Sequence, residues 1–489
     1  MRRVCPFSCN VEPCTNPGTY LEKFVFKGHA SKRGTELYAG SLLGSVGINH
    51  FQRVQWGLKN ITEPNSEPMS LKLSSLGLGT YLGAADDATD EQVLSAVLYS
   101  ATRGWNVIDT APNYRDGRAE ASIGRALLLL LVGSKAEEFP EGRAEVTRDA
   151  LFISSKAGFL NSALKQQLLE QGAASSTDLM AGSHCLSRAC IRASVKASLA
   201  ALRLETLDLL YLHNAAEVQL LARGRVGFMA LLKEAFQELE ALRQEGKVRG
   251  YGMATWECFR QPPNSHTHLS LEEVVNLARE VGGKQHGFLA VQLPVNAKLT
   301  EAFVQPWQLV LNQTATDAVR KAAAAAAAAQ AAAEAALRLK EPEDVDPEKI
   351  SAAMDQGLAL PPPPPPSPPP PPPPAVYDSV TLLEAAKRMG VAVFASGPLL
   401  EGQLLQGLVG PLDGIMGLKD ARSTAGKLLQ YARSVPGVAS VLLGQKAQEH
   451  VEANVPLAAM PRLAEKMWEL VKQEMEATLK QQQQKAVTV

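Results

Sequence analysis

Six cysteines in 489 residues are too few for a disulfide-built scaffold. Cys5, Cys9 and Cys14 fall close together at the start, whereas Cys185, Cys190 and Cys258 are scattered. The N-terminal cluster matches no zinc-ligand spacing and no paired histidine follows it, so no metal is assigned to it. Long apolar runs are missing as well. The longest, such as Ala126 to Val132, fall far short of the roughly 20 residues that a bilayer-spanning helix needs. Nor is there an excess of charge, because 49 Lys+Arg stand against 50 Asp+Glu for a formal net charge of −1. With no basic field and no basic patch in the folded part, nucleic acid and anionic membranes are excluded as expected partners. The first 60 residues lack an apolar h-region and carry eight basic against three acidic side chains. This argues against secretion and leaves two readings of the start, a transit peptide or an unstructured tail. The expected location is therefore the cytoplasm, or a plastid or mitochondrion if the start is a transit peptide. The whole chain is 46% hydrophobic and 20% charged, the composition of a folded protein with a large core.

Alanine and proline are concentrated in one stretch. The run Ala322 to Ala329, followed by Ala331 to Ala333, predicts a single long helix over 315–340 that stops near Pro342. Pro361 to Pro366 and Pro368 to Pro374 then predict a polyproline II rod, since proline fixes φ and donates no backbone hydrogen bond. Low-complexity expansion into a surface loop is the simpler reading of the rod; a ligand for a proline-binding module on 361–374 is the functional one.

Elsewhere β-rich runs alternate with helical periods. The strands are expected at Leu76 to Thr80, Asn106 to Thr110, Leu151 to Lys156, Leu207 to His213, Gly250 to Thr255, Leu289 to Pro294, Val391 to Ser396 and Ala439 to Gly444. Helical patterns follow each of them, among them Asp90 to Arg103, Ala119 to Leu131, Ser187 to Leu202 and Phe228 to Gln244. Eight strict β–α alternations predict an α/β fold, a (β/α)8 TIM barrel. The expected organisation is an N-terminal extension over 1–69, barrel strands one to six over 70–300 and the low-complexity insertion over 304–375. Strands seven and eight with their helices follow over 376–460, and a C-terminal helix and tail over 461–489. The insertion falls in the loop after strand six, on the side of a barrel where active sites are built.

Gly77, Gly79 and Gly83 invite comparison with a dinucleotide-binding turn, with Asp109 ending the next strand. Such a turn opens its helix at the glycines, however, and here the segment 84–90 intervenes, so a first barrel strand and its loop fit better. Four polar residues then stand at or just past strand ends: Asp109, Tyr114, Lys156 and His213. A lysine ending an apolar strand is costly unless paired, and Asp109 on the neighbouring strand is its natural partner. Each residue alone has an ordinary structural role open to it, as cap, packing or core histidine. Together they make an acid–base set, in which Lys156 is expected to pull the Tyr114 pKa down toward neutrality and Asp109 to keep Lys156 charged.

The segments Val107-Ile-Asp109-Thr-Ala-Pro-Asn-Tyr114-Arg-Asp-Gly-Arg-Ala-Glu120, Phe152-Ile-Ser-Ser-Lys156 and Leu207-Asp-Leu-Leu-Tyr-Leu-His213 resemble the aldo-keto reductase superfamily. The resemblance covers roughly Leu71 to Asn296 and Val376 to Pro456. It implies an NADPH-dependent barrel enzyme in which Asp109, Tyr114, Lys156 and His213 form the catalytic set. It also implies a cofactor site. Gln292 matches the nicotinamide-amide contact, with Asn296 closing the same motif. Pro398, Leu399 and Gly402 fall on the pyrophosphate loop, Ser396 at the place of a nicotinamide-stacking residue, and Gly444, Lys446, His450 and Asn454 on the adenosine segment, where Lys446 faces the 2′-phosphate. The segment also departs from the family. Ser396 replaces the aromatic that commonly stacks on the nicotinamide, Ala254 and Thr255 replace a Ser-Asn pair, and Ala453 replaces a common Glu.

The implied activity is NADPH-dependent reduction of a small-molecule aldehyde or ketone, with Tyr114 as general acid. Two alternatives stand beside it, oxidation of an aldose or alcohol with NAD(P), and a cofactor-binding regulatory or interaction protein with vestigial activity.

Overall fold

In a computed structural model of the chain, the described residues are 24–56, 70–132, 144–338, 374–406, 415, 418–474 and 477. They divide into two compact units, one of 1–308 with 380–489 and one of 309–379.

In the first unit, eight parallel strands close into a barrel. They are β3 (Leu76–Gly79), β4 (Val107–Asp109), β5 (Phe152–Ala157), β6 (Leu209–His213), β7 (Tyr251–Ala254), β8 (Phe288–Pro294), β11 (Ala392–Ser396) and β12 (Val438–Gly444), with β11 pairing β8 and β12 pairing β3 to shut the ring. This is the (β/α)8 barrel that the alternation predicts, and each expected strand is found within two residues at either end. Outside the strands run α2 (Asp87–Ala101), α3 (Arg118–Val132), α4 (Ser162–Glu170), α5 (Arg188–Leu202), α6 (Ala215–Gln244), α7 (Leu271–Gly282), α8 (Glu301–Val304), α10 (Leu382–Met389), α11 (Thr424–Ser434) and α12 (Gln448–Asn454). Their starts are local. The side chains of Asp86, Asn161, Ser187, Ser270, Thr381 and Ser423 each accept a hydrogen bond from an N–H of the first turn that has no partner within the helix.

The register sets which side chains enter the barrel. Asp109 pairs Ser154, Lys156 pairs Tyr211, and His213 pairs Ala254, which pairs Gln292. The level advances two residues from Ser154 to Lys156 and two more from Tyr211 to His213, and Gln292 is level with His213 through Ala254, which keeps side-chain parity, so Asp109, Lys156, His213 and Gln292 all face inward in a tilted barrel.

Residues 24–56, the described part of the N-terminal segment, pack against the barrel. Ser31 caps α1 (Lys32–Ser41), and β1 (Phe51–Gln55) pairs antiparallel with β2 (Ser70–Ser74). This hairpin brings Val54, Trp56, Leu71 and Leu73 onto Val107, Phe152, Leu209 and Ala439, the first or second residues of their strands, and so closes the N-terminal end of the barrel. Trp56 meets Phe152 edge-on at 4.9 Å, and Phe152 stacks on Phe394 at 5.6 Å. The sequence pattern over 51–55 is too short and too polar to predict this strand, because its partner lies fifteen or more residues on.

Two other elements differ from the periodicity. The helix expected from Phe228 begins at Ala215, directly after His213 and Asn214, and Gly224 interrupts it with φ 67. The C-terminal helix expected over 464–480 is seen over 465–474, its remainder lying largely outside the described residues.

The second unit holds α9 (Gln313–Arg338), the alanine-rich helix, started by Asn312, whose Oδ1 accepts from the Ala315 N–H at 2.9 Å. β9 (Gln308–Leu311) and β10 (Tyr377–Val380) pair as a two-stranded sheet. The polyproline segment, with the proline-module ligand assigned to it, lies outside the described residues except for Pro374, as do the three N-terminal cysteines. Among the described residues no helix is long and apolar enough to cross a membrane, and no group of acidic, His and Cys side chains is arranged to hold a metal.

Candidate active site

Lys156, near the end of β5, donates from Nζ to Asp109 Oδ2 at 2.5 Å and to the Thr110 carbonyl at 2.9 Å. The other Asp109 oxygen accepts from Ser154 Oγ at 2.7 Å and from Gln292 Nε2 at 3.0 Å. Both charges are buried. Burial works against the ammonium, but the carboxylate of Asp109 and the phenol of Tyr114 outweigh it, so the Lys156 pKa lies above its ordinary value and the side chain stays charged.

Tyr114 opens a short turn in which Arg115 (φ 51) and Asp116 (φ 55) are left-handed. Residues other than glycine held there cost on the order of 1–3 kcal/mol each. Anchors on both sides hold the turn. Arg115 reaches Asp90 of α2 at 2.5 Å, and the Ser162 N–H of α4 donates to Asp116 at 2.7 Å. This fastening sets the Tyr114 ring 4.8 Å from Lys156 Nζ. The expected fall of the Tyr114 pKa toward neutrality is not what the surroundings produce. Burial raises it, Lys156 pulls it down less than burial pushes, and Asp109 and Tyr81 add to the rise. The phenol therefore keeps its proton at neutral pH.

His213 ends β6, with its ring centroid 5.9 Å from that of Tyr114. Burial, then the charge of Lys156 and the neighbouring His184, hold its pKa well below the ordinary value, so the imidazole is neutral. Tyr81 stands 5.1 Å from Tyr114 and Phe159 5.2 Å from His213, ring to ring. The four residues singled out on strand ends are thus brought together, within an aromatic surround that strand positions alone do not reveal.

The remaining predicted residues lie in three places. Gln292 is inside the barrel on Asp109, as above. Asn296 fastens two loops, donating to the Gly397 carbonyl at 3.0 Å and accepting from the Lys298 and Leu299 N–H groups at 2.9 and 2.8 Å. At the exit of β11, Ser396 ends the strand, Pro398 is buried, Leu399 is half-buried, and Gly402 (φ 89) turns the chain. At the exit of β12, Gly444 ends the strand, Lys446 Nζ lies 3.4 Å from Gln92 of α2, and His450 is exposed on α12. Asn454 is buried and donates to Gln445 Oε1 at 3.1 Å.

Three neighbours escaped the sequence reading. Ser154 shares Asp109. Glu217, in the first turn of α6, accepts on a single oxygen from the N–H groups of Trp256 and Glu257 at 2.9 and 2.8 Å and from the Thr255 hydroxyl, and so shapes the exit of β7. His184 sits behind His213. The spacing His213-Asn-Ala-Ala-Glu217 was the visible signal for Glu217, but only the helix starting at Ala215 gives it meaning. Cys185 and Cys190, scattered in sequence terms, are bonded as a disulfide with Cα atoms 6.0 Å apart.

Residues 75–269 match the model of the Aldo/keto reductase family. An NADH-specific methylglyoxal reductase of Escherichia coli (strain K12) is 27% identical over 190 residues, which are 38% of this chain and 49% of that protein, so the chain spans about half the length of this curated relative. Among solved structures, an aldo/keto reductase from Klebsiella pneumoniae in complex with NADP and acetate is 18% identical, covering 82% of this chain and 92% of its own with a TM-score of 0.45. An aldo-keto reductase from Bacillus halodurans in its holo form is 18% identical, covering 87% and 96% with a TM-score of 0.45. The segment 75–269 that matches the Aldo/keto reductase family model contains Asp109, Tyr114, Lys156 and His213.

Proposed function

We propose that the chain reduces an aldehyde or ketone with NADPH, using Tyr114 as the proton donor. The observation that carries this reading is the convergence of one protonated phenol, one buried ammonium 4.8 Å from its ring and one neutral imidazole 5.9 Å from it. The raised Tyr114 pKa keeps the proton available for transfer to a developing alkoxide, and Lys156 stabilises the phenolate that transfer leaves behind. Asp109 keeps Lys156 charged and fixed. His213, neutral, orients and polarises the carbonyl oxygen without competing for the Tyr114 proton. A protonated tyrosine is the form in which a proton donor for carbonyl reduction starts.

The residues at the exit of β12 fit a dinucleotide phosphate. Lys446 offers a cation beside Gln445, whose residue is 5% exposed and whose Nε2 donor is buried with no protein partner. Lys446, His450, Asn454 and Gly444 would hold the adenosine end, and Pro398, Leu399 and Gly402 the pyrophosphate, with Gln292, Asn296 and Ser396 at the nicotinamide end. When bound, NADPH supplies the hydride for the carbonyl carbon. Similarity to an NADH-specific enzyme supports a second reading, in which NADH is the donor.

The test is a screen of NADPH and NADH oxidation against aldehydes, ketones and aldoses, with Tyr114→Phe alongside. Loss of a general acid lowers the rate about 10²- to 10⁴-fold. A Tyr114→Phe protein with kcat within twofold of wild type refutes the assignment. Tight cofactor binding with no turnover on any carbonyl supports the cofactor-binding protein instead.

A further inference from the structure

Behind His213 lies a second histidine that the chemistry above does not use. His184 is fully buried on the segment joining α4 to α5. Its backbone is tied down by bonds from the Cys185 N–H to the Gly158 carbonyl at 2.8 Å and from the Leu160 N–H to the Ser183 carbonyl at 3.0 Å. Both ring nitrogens have partners. Nε2 lies 2.8 Å from the backbone carbonyl oxygen of His213, and Nδ1 lies 2.9 Å from Gln219 Nε2.

The proton on this ring is assigned by the next residue out. Arg223 Nε, which can only donate, lies 2.7 Å from Gln219 Oε1 and so orients the amide with its nitrogen toward His184. An amide nitrogen offers hydrogens only. Nδ1 of His184 is therefore the bare acceptor, and Nε2 carries the hydrogen that points at the His213 carbonyl. Burial, which holds the His184 pKa down to about 4, agrees with a neutral ring. The backbone leaves room for this bond at one place. Gly158 has φ +138, and a Cβ there would stand 2.8 Å from His184 Nε2 and 3.1 Å from the His213 carbonyl oxygen. Phe159, the next residue, packs edge-on against both imidazoles, at 4.8 Å from His184 and 5.2 Å from His213.

We propose that His184 is a positioning residue for His213: through the chain Arg223–Gln219–His184 it holds the peptide that ends β6, and with it the direction in which the His213 imidazole leaves the strand toward Tyr114. The proposal rests on the reading of Tyr114 and His213 as the groups that receive the substrate carbonyl. The N–H side of this peptide is fixed by the bond from the Asn214 N–H to the Ala254 carbonyl at 2.7 Å, and His184 secures its carbonyl side, where the strand ends. Asn214 turns left-handed (φ 47) and α6 begins one residue later. With both ring nitrogens engaged, His184 does not take substrate itself.

Two variants separate positioning from bulk. His184→Phe keeps a flat ring and removes the donor, whereas His184→Gln keeps an N–H in reach of the His213 carbonyl. Misplacing a reacting group by about an ångström costs up to roughly 10²-fold, so kcat of His184→Phe should fall about 10- to 100-fold while its cofactor dissociation constant stays unchanged. His184→Gln should restore most of the lost kcat. Long-range proton–nitrogen NMR of protein labelled in its eight histidines reads the same arrangement without turnover. In the wild type the His184 ring should be the Nε2–H tautomer. The His213 ring signals should move in His184→Phe and stay in place in His184→Gln. An Nδ1–H tautomer, unmoved His213 signals in His184→Phe, or an unchanged kcat in that variant would overturn the proposal. A wild type that reduces no carbonyl, with the NMR results as expected, would overturn the reductase reading and leave the His184–His213 coupling supported.

Discussion

Replacing Lys156 with methionine removes half of the ion pair at the centre of the barrel and keeps most of the side chain's length. Lys156 is 1% exposed and Asp109 4%, so water cannot compensate the charge that remains. Stranding a buried charge in this way costs about 3–5 kcal/mol. Asp109 would retain two hydrogen bonds to Oδ1, from Ser154 and Gln292, while Oδ2 and the Thr110 carbonyl would each lose the Nζ donor. We therefore expect the lower end of the range, about 3 kcal/mol. Adding Asp109→Asn removes the stranded charge and keeps an acceptor for Ser154, so the double variant should regain about half of the loss. Urea unfolding at pH 7, followed by fluorescence and by far-ultraviolet circular dichroism with coincident transitions, measures both changes. A single-variant loss under about 1 kcal/mol, or a double variant no more stable than the single, would refute the reasoning that the pair is a desolvated charge pair.

Acid should destabilise the fold in a defined window. Burial, then the charge of Arg433, holds His50 down to about 3, and burial holds His184 down to about 4. Both bind a proton near pH 6.5 when unfolded, so their contribution is full above about pH 6.5 and is lost as the pH falls toward those lower values, by up to about 1.4 kcal/mol per pH unit for each. A stability profile flat from pH 7 to 4.5 would contradict this. Replacing Ala315 to Ala375 with a short Gly/Ser linker should give a folded barrel that still binds cofactor, because 309–379 is a compact unit of its own and each doubling of a loop costs only about 0.6 kcal/mol; an insoluble product would show that the barrel depends on the segment. Lys446→Ala should weaken NADPH binding roughly 10- to 150-fold, the value of a charge-assisted hydrogen bond, and leave NADH nearly unchanged. Equal losses for the two cofactors, measured by titration calorimetry, would remove Lys446 from the phosphate site.

The sequence by itself determined the order and type of the barrel elements and the four polar residues at its mouth, because both are written locally. Apolar runs of four to seven residues between turn signals mark Leu209–His213 or Phe288–Pro294 with no knowledge of their neighbours. Caps such as Ser187 and Thr381 announce their helices within three residues. Parity along each strand then carries Asp109, Lys156 and His213 to one interior. Only tertiary structure decided what depends on sums over distant groups. The sign of the Tyr114 shift follows from burial by several elements at once, against which the single visible partner, Lys156, is too weak. The strand Phe51–Gln55 exists because Ser70–Ser74 and the open end of the barrel accept it, not because of its own pattern. Asn296 belongs to the fastening of two loops because the pairing of β8 with β11, far apart in sequence, sets their exits side by side. His184 lies 29 residues before His213, and nothing in that spacing shows that its ring meets the peptide on which His213 is carried.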